Sequence, residues 1–417
     1  MNTGETPAAN QADAAWALAK ACFLEGIGHF EAGHLAAARA SFTAALDHAP
    51  GRTSVLTNLG LTLCGLEQWP EAVATFQQAL AVEAAQPDVW FALGEAHAAQ
   101  AQWREAAQAL ERGLALDPLR PDIWMKCGEC LANAGRPAEA LSCYARVLNL
   151  DPQAASAWSA RGGLLRDLGQ LDEAAHCFEQ AIALGADAEL HAYYLAAVRG
   201  KACAAPPRVY VETLFDQYAV DFEAHLVGQL QYCGHDGLVR PLLDGGPRWG
   251  TVLDLGCGTG LCGSLLSPHA DIIDGVDLSA SMLEQARARG VYRRLIHDDI
   301  VYFLAETPDT ADLVVAADVF IYVGALDEVF RHVRRILVPG GRFAFTVELD
   351  PTGDGFRLMP SLRYAHSEPY IRQLATRFGF SVLDSRRAPL RQNQQAPLDA
   401  LYVYLTTGPI EPGGATP

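Results

Sequence analysis

Small and large apolar residues recur every 34 residues in the first half of the chain. One glycine and one alanine stand in the same register of each repeat, and a large apolar residue follows four positions after the alanine. The glycines are Gly26, Gly60, Gly94, Gly128 and Gly162, the alanines are Ala38, Ala72, Ala106, Ala140 and Ala174, and the large residues are Phe42, Phe76, Leu110, Tyr144 and Phe178. This period predicts stacked pairs of helices, because small residues are needed where paired helices approach closely and a large residue fills the gap between neighbouring pairs.

After residue 200 the pattern changes to short apolar runs that alternate with helical stretches. Five runs lie at 251–255, 271–277, 295–300, 311–318 and 342–347, and two more lie around Val382 and at 401–405. Strands that alternate with helices predict a parallel sheet with helices on both faces. The last two runs are expected to complete a seven-stranded sheet by adding an antiparallel hairpin at one edge.

Consecutive prolines mark the boundary between the two patterns. Lys201-Ala-Cys-Ala-Ala-Pro-Pro-Arg208 breaks helix, because a proline removes a backbone donor and favours an extended residue before it. The expected segments are a tail at 1–18, a repeat array at 19–200, a linker and helical approach segment at 201–247, a sheet domain at 248–406 and a disordered tail at 407–417.

The 34-residue pattern resembles the tetratricopeptide repeat, and the resemblance covers residues 19–186. Tryptophans and prolines recur in the same register at Trp90, Trp124, Trp158, Pro50, Pro118 and Pro152. The resemblance implies five repeats and a concave surface that binds a peptide or protein, or that mediates self-association. Residues 189–198 have helical spacing without a repeat partner, which predicts a capping helix at the end of the array.

A glycine-rich turn follows the first strand of the predicted sheet. Asp254 ends the apolar run, and Gly256, Gly258 and Gly260 follow at alternate positions. Glycines lack the Cβ that would keep the backbone away from a bound nucleoside, and the helix predicted at 261–266 would point its N-terminus at that ligand. The turn alone fits two cofactors, since residues 258–263 also satisfy the G-x-G-x-x-G pattern of dinucleotide sites.

The sequence D-L-G-C-G-T-G at 254–260 resembles the first motif of class I S-adenosylmethionine-dependent methyltransferases. A second strand ending in an acid at 271–277, the acids of 295–300 and the L-V-P-G-G-R-F sequence at 337–343 are similar to later motifs of that family. They favour a methyltransferase over a nicotinamide enzyme, which would need a larger catalytic domain after residue 347. The fold class that follows is an all-α tetratricopeptide solenoid before a Rossmann-like, seven-stranded methyltransferase domain.

The methyltransferase resemblance implies S-adenosylmethionine as the cofactor. The implied binding residues are Asp254, Gly256, Gly258, Gly260, Asp277, Leu278, Met282, Asp298, Asp299, Ile300 and Asp318. A carboxylate at Asp277 can accept both ribose hydroxyls. Asp299, or its neighbour Asp298, is expected to reach the adenine amino group.

An apolar helical stripe at 211–226 resembles the aromatic lead-in that folds over the cofactor in small-molecule methyltransferases. It implies that Tyr218 and Phe222 form a lid, with His225 beside them. The end of the fourth strand is expected to lie near the transferred methyl group. Tyr322 and Tyr364 are expected to contact the methyl acceptor there.

A general base is expected only if the acceptor is a hydroxyl or an ammonium group. Histidine suits this role near neutral pH, so His366 is the first candidate and His225 is the second. Methyl transfer from a sulfonium is a direct displacement that depends on alignment, so no metal is expected.

Ala317-Asp-Val-Phe320 stands where nucleobase and glutamine methyltransferases have Asn-Pro-Pro-Tyr, which favours a small-molecule or ordinary protein acceptor. A scaffold that binds the cofactor without turnover is the alternative from a different class.

Composition adds constraints on partners and compartment. The formal net charge of −18 disfavours nucleic acid and anionic membranes as direct partners. The ten scattered cysteines favour reduced thiols over a disulfide framework. The first residues lack a basic segment followed by an apolar run, so we expect a cytoplasmic protein.

Overall fold

The computed structural model describes residues 7–201, 203, 205–218, 231–351, 353–393 and 396–408. By its internal contacts the chain divides into two compact units. The first unit is 1–168 with 183–186, and the second is 169–182 with 187–417.

The first unit is built from antiparallel helix pairs, as the 34-residue register predicts. Its helices are α1 (Pro7–Glu31), α2 (Leu35–His48), α3 (Thr53–Gly65), α4 (Trp69–Val82), α5 (Pro87–Ala98), α6 (Trp103–Leu116), α7 (Pro121–Asn133), α8 (Pro137–Leu150) and α9 (Ala155–Asp167). Phe76 is fully buried, and a Cβ added to Gly60 would lie 2.4 Å from its ring. The repeated glycine is therefore required by the close approach of the paired helix, which is the steric reason for the period.

The second unit begins with helices that precede the sheet. They are α10 (Leu171–Ala183), α11 (Ala188–Val198), α12 (Arg208–Tyr218) and α13 (Gly234–Leu243). Tyr193 of α11 is buried, and its hydroxyl donates a 2.8 Å hydrogen bond to the carbonyl oxygen of Leu362. The same tyrosine packs in one apolar cluster with Leu358 and Tyr364. Helix α11 is thus part of the core of the second unit.

A mostly parallel sheet organises the rest of the second unit. Its strands are β1 (Trp249–Leu255), β2 (Ala270–Asp277), β3 (Arg294–His297), β4 (Ala311–Ala316), β5 (Leu337–Leu349), β6 (Phe356–Leu358), β7 (Tyr364–His366), β8 (Ser381–Asn393) and β9 (Ala396–Thr406). The pairings give the order β3-β2-β1-β4-β5-β9-β8, with β9 antiparallel to both of its neighbours. The seven expected strands and their antiparallel hairpin are present, but the sheet has nine strands within the described residues, because β6 and β7 also join it.

Helices follow the parallel strands and cover both faces of the sheet. They are α14 (Leu261–Leu266), α15 (Ala280–Ala288), α16 (Ile300–Glu306), α17 (Asp327–Ile336) and α18 (Glu368–Arg377). Alternate residues of one strand enter different cores: Val314 packs with Phe330 and Phe345, whereas Leu313 packs with Trp249. This alternation explains why the central strands read as continuous apolar runs.

Two features of the sheet differ from the sequence prediction. Strand β5 starts at Leu337, because the Pro-Gly-Gly segment already lies in the strand beside a register shift opposite Ala311. The short hairpin of β6 and β7 attaches to the carboxyl end of β5, where Leu349 pairs with His366. This hairpin places residues 356–366 next to the carboxyl edge of the sheet.

None of the helices in the described ranges combines the length and the apolar character that crossing a bilayer requires. All ten cysteines are free thiols.

Candidate active site

A cavity of about 450 Å³ opens at the carboxyl edge of the parallel strands in the second unit. The ends of β1, β2 and β4 contribute Asp254, Asp277 and Asp318 to its lining. Its volume lies within the range of ~300–1,000 Å³ that is typical of small-molecule sites. The position also follows the general rule for open α/β sheets, in which ligands bind beyond the carboxyl ends of the strands.

The glycine-rich turn forms one wall of this cavity. Gly256 and Gly258 line it with φ angles of +59° and +52°, in the left-handed region that favours glycine. A Cβ on Gly256 would meet Val319 at 2.5 Å, whereas a Cβ on Gly258 would project into open space. Gly260 has a φ of +90° and lies just before α14, outside the cavity lining. The turn therefore leaves room for a ligand beside Gly258, and Gly260 shapes the turn.

Asp254 is a buried carboxylate at the end of β1. The Tyr292 hydroxyl donates a 2.7 Å hydrogen bond to its Oδ2. Burial raises the pKa of Asp254, the Tyr292 hydrogen bond lowers it and the negative charge of Asp277 raises it, which together bring this pKa to about 7. Asp254 is thus held inside the turn by Tyr292, a contact for which the sequence offers no motif.

Asp277 connects the second strand to the glycine-rich turn. Its Oδ2 accepts a 2.7 Å hydrogen bond from the Gly258 amide, and its Oδ1 accepts one of 2.9 Å from the Ser279 amide. Burial raises the pKa of Asp277, while these backbone hydrogen bonds lower it. A carboxylate has about four lone-pair sites, so each oxygen can still accept one hydroxyl donor from the cavity.

Residues that follow β2 and β3 form the far end of the cavity. Leu278, Met282 and Ile300 line it as apolar side chains. Asp299 also lines it, and its Oδ1 caps α16 by accepting hydrogen bonds from the amides of residues 301 and 302 at 2.8 and 3.1 Å. Asp298 does not line the cavity, and its Oδ1 accepts a 2.8 Å hydrogen bond from the Asp299 amide. Between the two acids, the structure brings Asp299 to the cavity.

Charged residues that the sequence did not single out lie at the other end. Arg391 of β8 lines the cavity with only 4% of its surface exposed, and its Nη1 donates a hydrogen bond to Asp318 Oδ2. Arg363 also lines the cavity, where its guanidinium interacts electrostatically with Tyr322 and Asp318. Burial raises the pKa of Asp318, and the two arginines oppose that shift. Asp318 has a φ of +59°, and its amide donates to Thr346 Oγ1 at 2.8 Å.

His366 does not lie at the cavity, contrary to its expected role as the base. It is fully buried on β7, its Nε2–H donates a 2.9 Å hydrogen bond to the Gly324 carbonyl oxygen, and its ring stacks on Tyr370. Burial lowers the pKa of His366 to about 4. A neutral, enclosed imidazole of this kind packs the core and cannot reach an acceptor. Tyr364 is likewise buried outside the cavity, in the cluster around Tyr193.

The expected lid lies largely outside the described residues. Tyr218 ends α12, but its side chain is not described, and Phe222 and His225 fall in the segment 219–230. The described part of α12 does cover the cavity. Phe215 meets the Tyr322 ring edge-on at 5.2 Å, and Asp216 accepts a 2.6 Å hydrogen bond from the Ser279 hydroxyl.

One histidine that the sequence analysis overlooked lines the described cavity. His235, in the first turn of α13, stacks against the buried Tyr232 with ring centroids 5.4 Å apart. The described residues contain no group of three or more histidine, cysteine, aspartate or glutamate side chains that could hold a metal ion.

The donor set and the shape of the cavity fit an adenosyl cofactor. The open space beside Gly258 would admit a sugar next to the backbone, and Asp277 lines the same cavity with oxygens that could accept its hydroxyls. Asp299 lies beside an apolar slot formed by Leu278 and Ile300, which suits the edge and the faces of a base.

The fold comprises a helical repeat array followed by a Rossmann-like α/β domain with a cavity at the carboxyl edge of its sheet. Residues 253–343 match the family model described as a methyltransferase domain. Two tetratricopeptide repeat models match residues 29–96, 65–130, 97–164 and 155–187.

The chain is similar to several curated methyltransferases. It is 36% identical over 131 residues to a malonyl-[acyl-carrier protein] O-methyltransferase of Legionella pneumophila, an alignment that covers 29% of this chain and 44% of that relative. The corresponding enzyme of Geobacter sulfurreducens is 31% identical over 38% of this chain and 60% of its own length. Aklanonic acid methyltransferase DauC of a Streptomyces species is 33% identical over 23% of this chain and 46% of its own length. The chain therefore spans about half the length of the relatives it matches.

Solved structures are similar to parts of this chain. Magnesium protoporphyrin IX methyltransferase from Synechocystis, solved with bound SAH, covers 48% of this chain and 98% of its own at 18% identity and a TM-score of 0.38. The tetratricopeptide protein YrrB covers 41% of this chain and 89% of its own at 24% identity and a TM-score of 0.39.

Proposed function

We propose that this protein transfers a methyl group from S-adenosylmethionine to an acceptor bound in the cavity of the second unit. The observation that carries the proposal is the arrangement at the carboxyl edge of the sheet. The glycine-rich turn leaves open space beside Gly258, and Asp277 and Asp299 line the same cavity. A methyltransferase domain in residues 253–343 supports this assignment over a dinucleotide enzyme.

The protein's own residues are proposed to bind and orient the reactants. When bound, S-adenosylmethionine supplies an electrophilic methyl group on a sulfonium. Asp277 would hold the ribose hydroxyls, and Asp299 with Leu278 and Ile300 would fix the base. Phe215 and Tyr322 meet edge-on at the cavity and would exclude water from the acceptor end. Alignment of this kind is the main contribution that a protein makes to a displacement without covalent intermediates.

The repeat array is proposed to bind a protein or peptide partner, a carrier protein or another copy of this chain. Stacked helix pairs present an extended concave surface, which supports a binding role. The names of the relatives cover different acceptors, among them a malonyl group on an acyl carrier protein and aklanonic acid. They therefore leave the acceptor of this chain open.

Calorimetry with S-adenosylmethionine and Asp277→Ala tests the cofactor proposal. The wild-type chain should bind S-adenosylmethionine and should not bind NAD. Loss of two hydrogen-bond acceptors on a charged group should weaken binding by about 1–3 kcal/mol in the variant. Asp271→Ala is the matched control, because Asp271 is exposed and pairs with Arg248 away from the cavity. Equal affinity in both variants would place the ribose elsewhere.

Transfer itself needs a separate measurement. Cell extract and S-adenosylmethionine should yield S-adenosylhomocysteine in the presence of the protein. Cofactor binding without release of this product from any fraction would favour the non-catalytic scaffold.

A further inference from the structure

Two arginines at the acceptor end of the cavity are not accounted for by cofactor binding. The Arg391 side chain is 3% exposed and pairs with Asp318 through Nη1. Its Nη2 is buried and has no hydrogen-bond partner in the part of the chain that the structure describes. Arg363 lines the same end and interacts electrostatically with Tyr322 and Asp318. Within the described residues, at least one guanidinium nitrogen is therefore buried at the cavity without a protein acceptor.

A buried guanidinium nitrogen without an acceptor lowers the stability of the folded protein unless a ligand accepts its hydrogen bond. Leaving a buried charged donor unsatisfied costs more free energy than leaving a neutral donor unsatisfied. Two buried carboxylate oxygens, Asp318 Oδ1 and Glu348 Oε2, also lack hydrogen-bond partners among the described residues. Neither of them therefore accepts a hydrogen bond from Arg391 Nη2. The planar N–H groups of arginine match the two oxygens of a carboxylate, which makes a carboxylate the fitting ligand.

The charges at this end favour an anion once the cofactor is bound. Arg363 and Arg391 are balanced by Asp318 and Glu348, and all four groups interact electrostatically. The sulfonium of the proposed cofactor adds one positive charge to this balanced set. A substrate carboxylate would neutralise it, whereas an ammonium would add a like charge in a site of low polarity.

We propose that the methyl acceptor is a carboxylate, held by Arg391 and Arg363, and that the product is its methyl ester. This inference rests on the proposed methyl transfer. A carboxylate oxygen lone pair forms the new O–CH₃ bond, and the S–CH₃ bond breaks with its electron pair going to sulfur. The sulfonium becomes a neutral thioether and the acid becomes a neutral ester, so no proton is released.

A carboxylate acceptor also agrees with the position of the histidines. It is already an anion at neutral pH and needs no general base. His366, the expected base, is buried away from the cavity. A hydroxyl or amine acceptor would need a base, for which His235 is the candidate that lines the cavity, but it would leave the Arg391 nitrogen without an anionic partner.

Binding to the whole 417-residue chain loaded with S-adenosylhomocysteine tests the arginine pair. Acetate, malonate, succinate, benzoate and phenylacetate are each titrated by calorimetry beside the corresponding amide. We expect at least one acid to bind more than about tenfold tighter than its amide. Arg363→Gln and the double variant Asp318→Asn with Arg391→Gln should abolish that preference, and the double variant leaves no unpaired buried charge. Arg357→Gln is the control, because Arg357 pairs with Asp350 outside the cavity lining.

The outcomes separate this inference from the proposed function. Failure of S-adenosylhomocysteine to bind the wild-type chain would refute the cofactor proposal itself. Binding of S-adenosylhomocysteine without any preference for acids overturns only the carboxylate acceptor. Loss of S-adenosylhomocysteine affinity in the arginine variants would assign the arginines to the carboxylate of the cofactor, and would also overturn it.

The chemistry of the product distinguishes the source of the acid. Extract is incubated with the protein and methyl-labelled S-adenosylmethionine, and the product is treated with mild alkali. A methyl ester releases the label as volatile methanol, and we expect this from the small-molecule fraction for a free acid or from the protein fraction for a carrier-borne acid. Label that survives alkali would show transfer to nitrogen, carbon or an ether oxygen and would overturn the proposal.

Discussion

His366 shows how burial, more than residue type, decides what a titratable side chain does. Its folded pKa of about 4 lies below the ordinary value near 6.5, so the folded state binds fewer protons than the unfolded state between these values. Stability is therefore retained above pH 6.5 and is lost as the pH falls towards 4. We expect the free energy of unfolding to drop by about 2 kcal/mol more between pH 7 and pH 5 in the wild-type chain than in His366→Gln.

Denaturant unfolding at the two pH values measures this difference. The variant should be less stable than the wild type at pH 7, because the hydrogen bond to Gly324 and the stacking on Tyr370 are altered. His48→Gln, at an exposed position of the first unit, should keep the wild-type pH dependence. A wild-type slope in His366→Gln would mean that other groups cause the acid sensitivity.

At the scale of single residues, the sequence predicted the cofactor end of the cavity better than the acceptor end. Asp254, Asp277 and Asp299 could be found because each ends an apolar run or follows one, and the carboxyl ends of parallel strands share one edge. Arg363 and Arg391 lie after β5, where no motif marks them. They reach the cavity only because the β6–β7 hairpin and the long strand β8 bring them there. Tyr364 and His366, beside Arg363 in sequence, are buried in the core.

A substitution at one of the repeated glycines tests whether the paired helix packs too closely to admit a side chain. In Gly60→Ala the new methyl group would lie 2.4 Å from the fully buried Phe76 ring, so one helix must move. We expect a loss of about 1–3 kcal/mol in the free energy of unfolding, the usual cost of overpacking a core. Denaturant unfolding of the full chain, followed by far-ultraviolet circular dichroism, measures this change.

Gly163→Ala provides the matched control for this substitution. Gly163 also lies inside a helix, α9, but a Cβ there meets nothing within 4 Å. Replacing it should stabilise the chain by up to about 1 kcal/mol through helix propensity alone. Gains of equal size in both variants would contradict the close packing of Gly60 on Phe76.

At the scale of elements, periodicity predicted the helix pairs and the strands of the mostly parallel sheet, while the short elements after β5 could not be predicted. A 34-residue repeat and an alternation of strand and helix runs each depend on many residues, so a few atypical residues do not hide the pattern in the sequence. Strands β6 and β7 have three residues each, too few for any period to be visible. The start of β5 was also missed, because Pro-Gly-Gly usually ends a strand or helix but here takes part in a register shift.

At the scale of the whole molecule, α11 belongs to a different unit from the one its sequence suggested. The absence of a repeat partner predicted a cap for the helical array, and the predicted boundary lies at residue 200. In the structure, α10 and α11 group with the sheet by their contacts. Tyr193, Tyr194 and Tyr210 pack against one another with ring centroids 5.6 to 6.3 Å apart. Single-sequence reasoning could not show this, because an apolar helix face does not reveal which surface it covers.

Two shortened chains test where the second unit begins. A chain that starts at Gly169 keeps α10 and α11, and we expect it to fold and to bind S-adenosylmethionine as the full chain does. A chain that starts at Ala205 loses Tyr193, which is 2% exposed and donates to the Leu362 carbonyl oxygen. Removing a buried aromatic side chain costs about 3–5 kcal/mol, so this chain should unfold at a temperature roughly 6–20 °C lower.

Tyr193→Phe in the longer of the two chains isolates the hydroxyl. It removes one buried hydrogen bond and keeps the packing on Leu358 and Tyr364, so we expect a loss of about 1 kcal/mol. Thermal unfolding and calorimetric cofactor titration of all three proteins give the comparison. If the chain from Ala205 were as stable as the chain from Gly169, α11 would contribute nothing to the core beneath the β6–β7 hairpin. Arg363 would then owe its position at the cavity to the sheet alone.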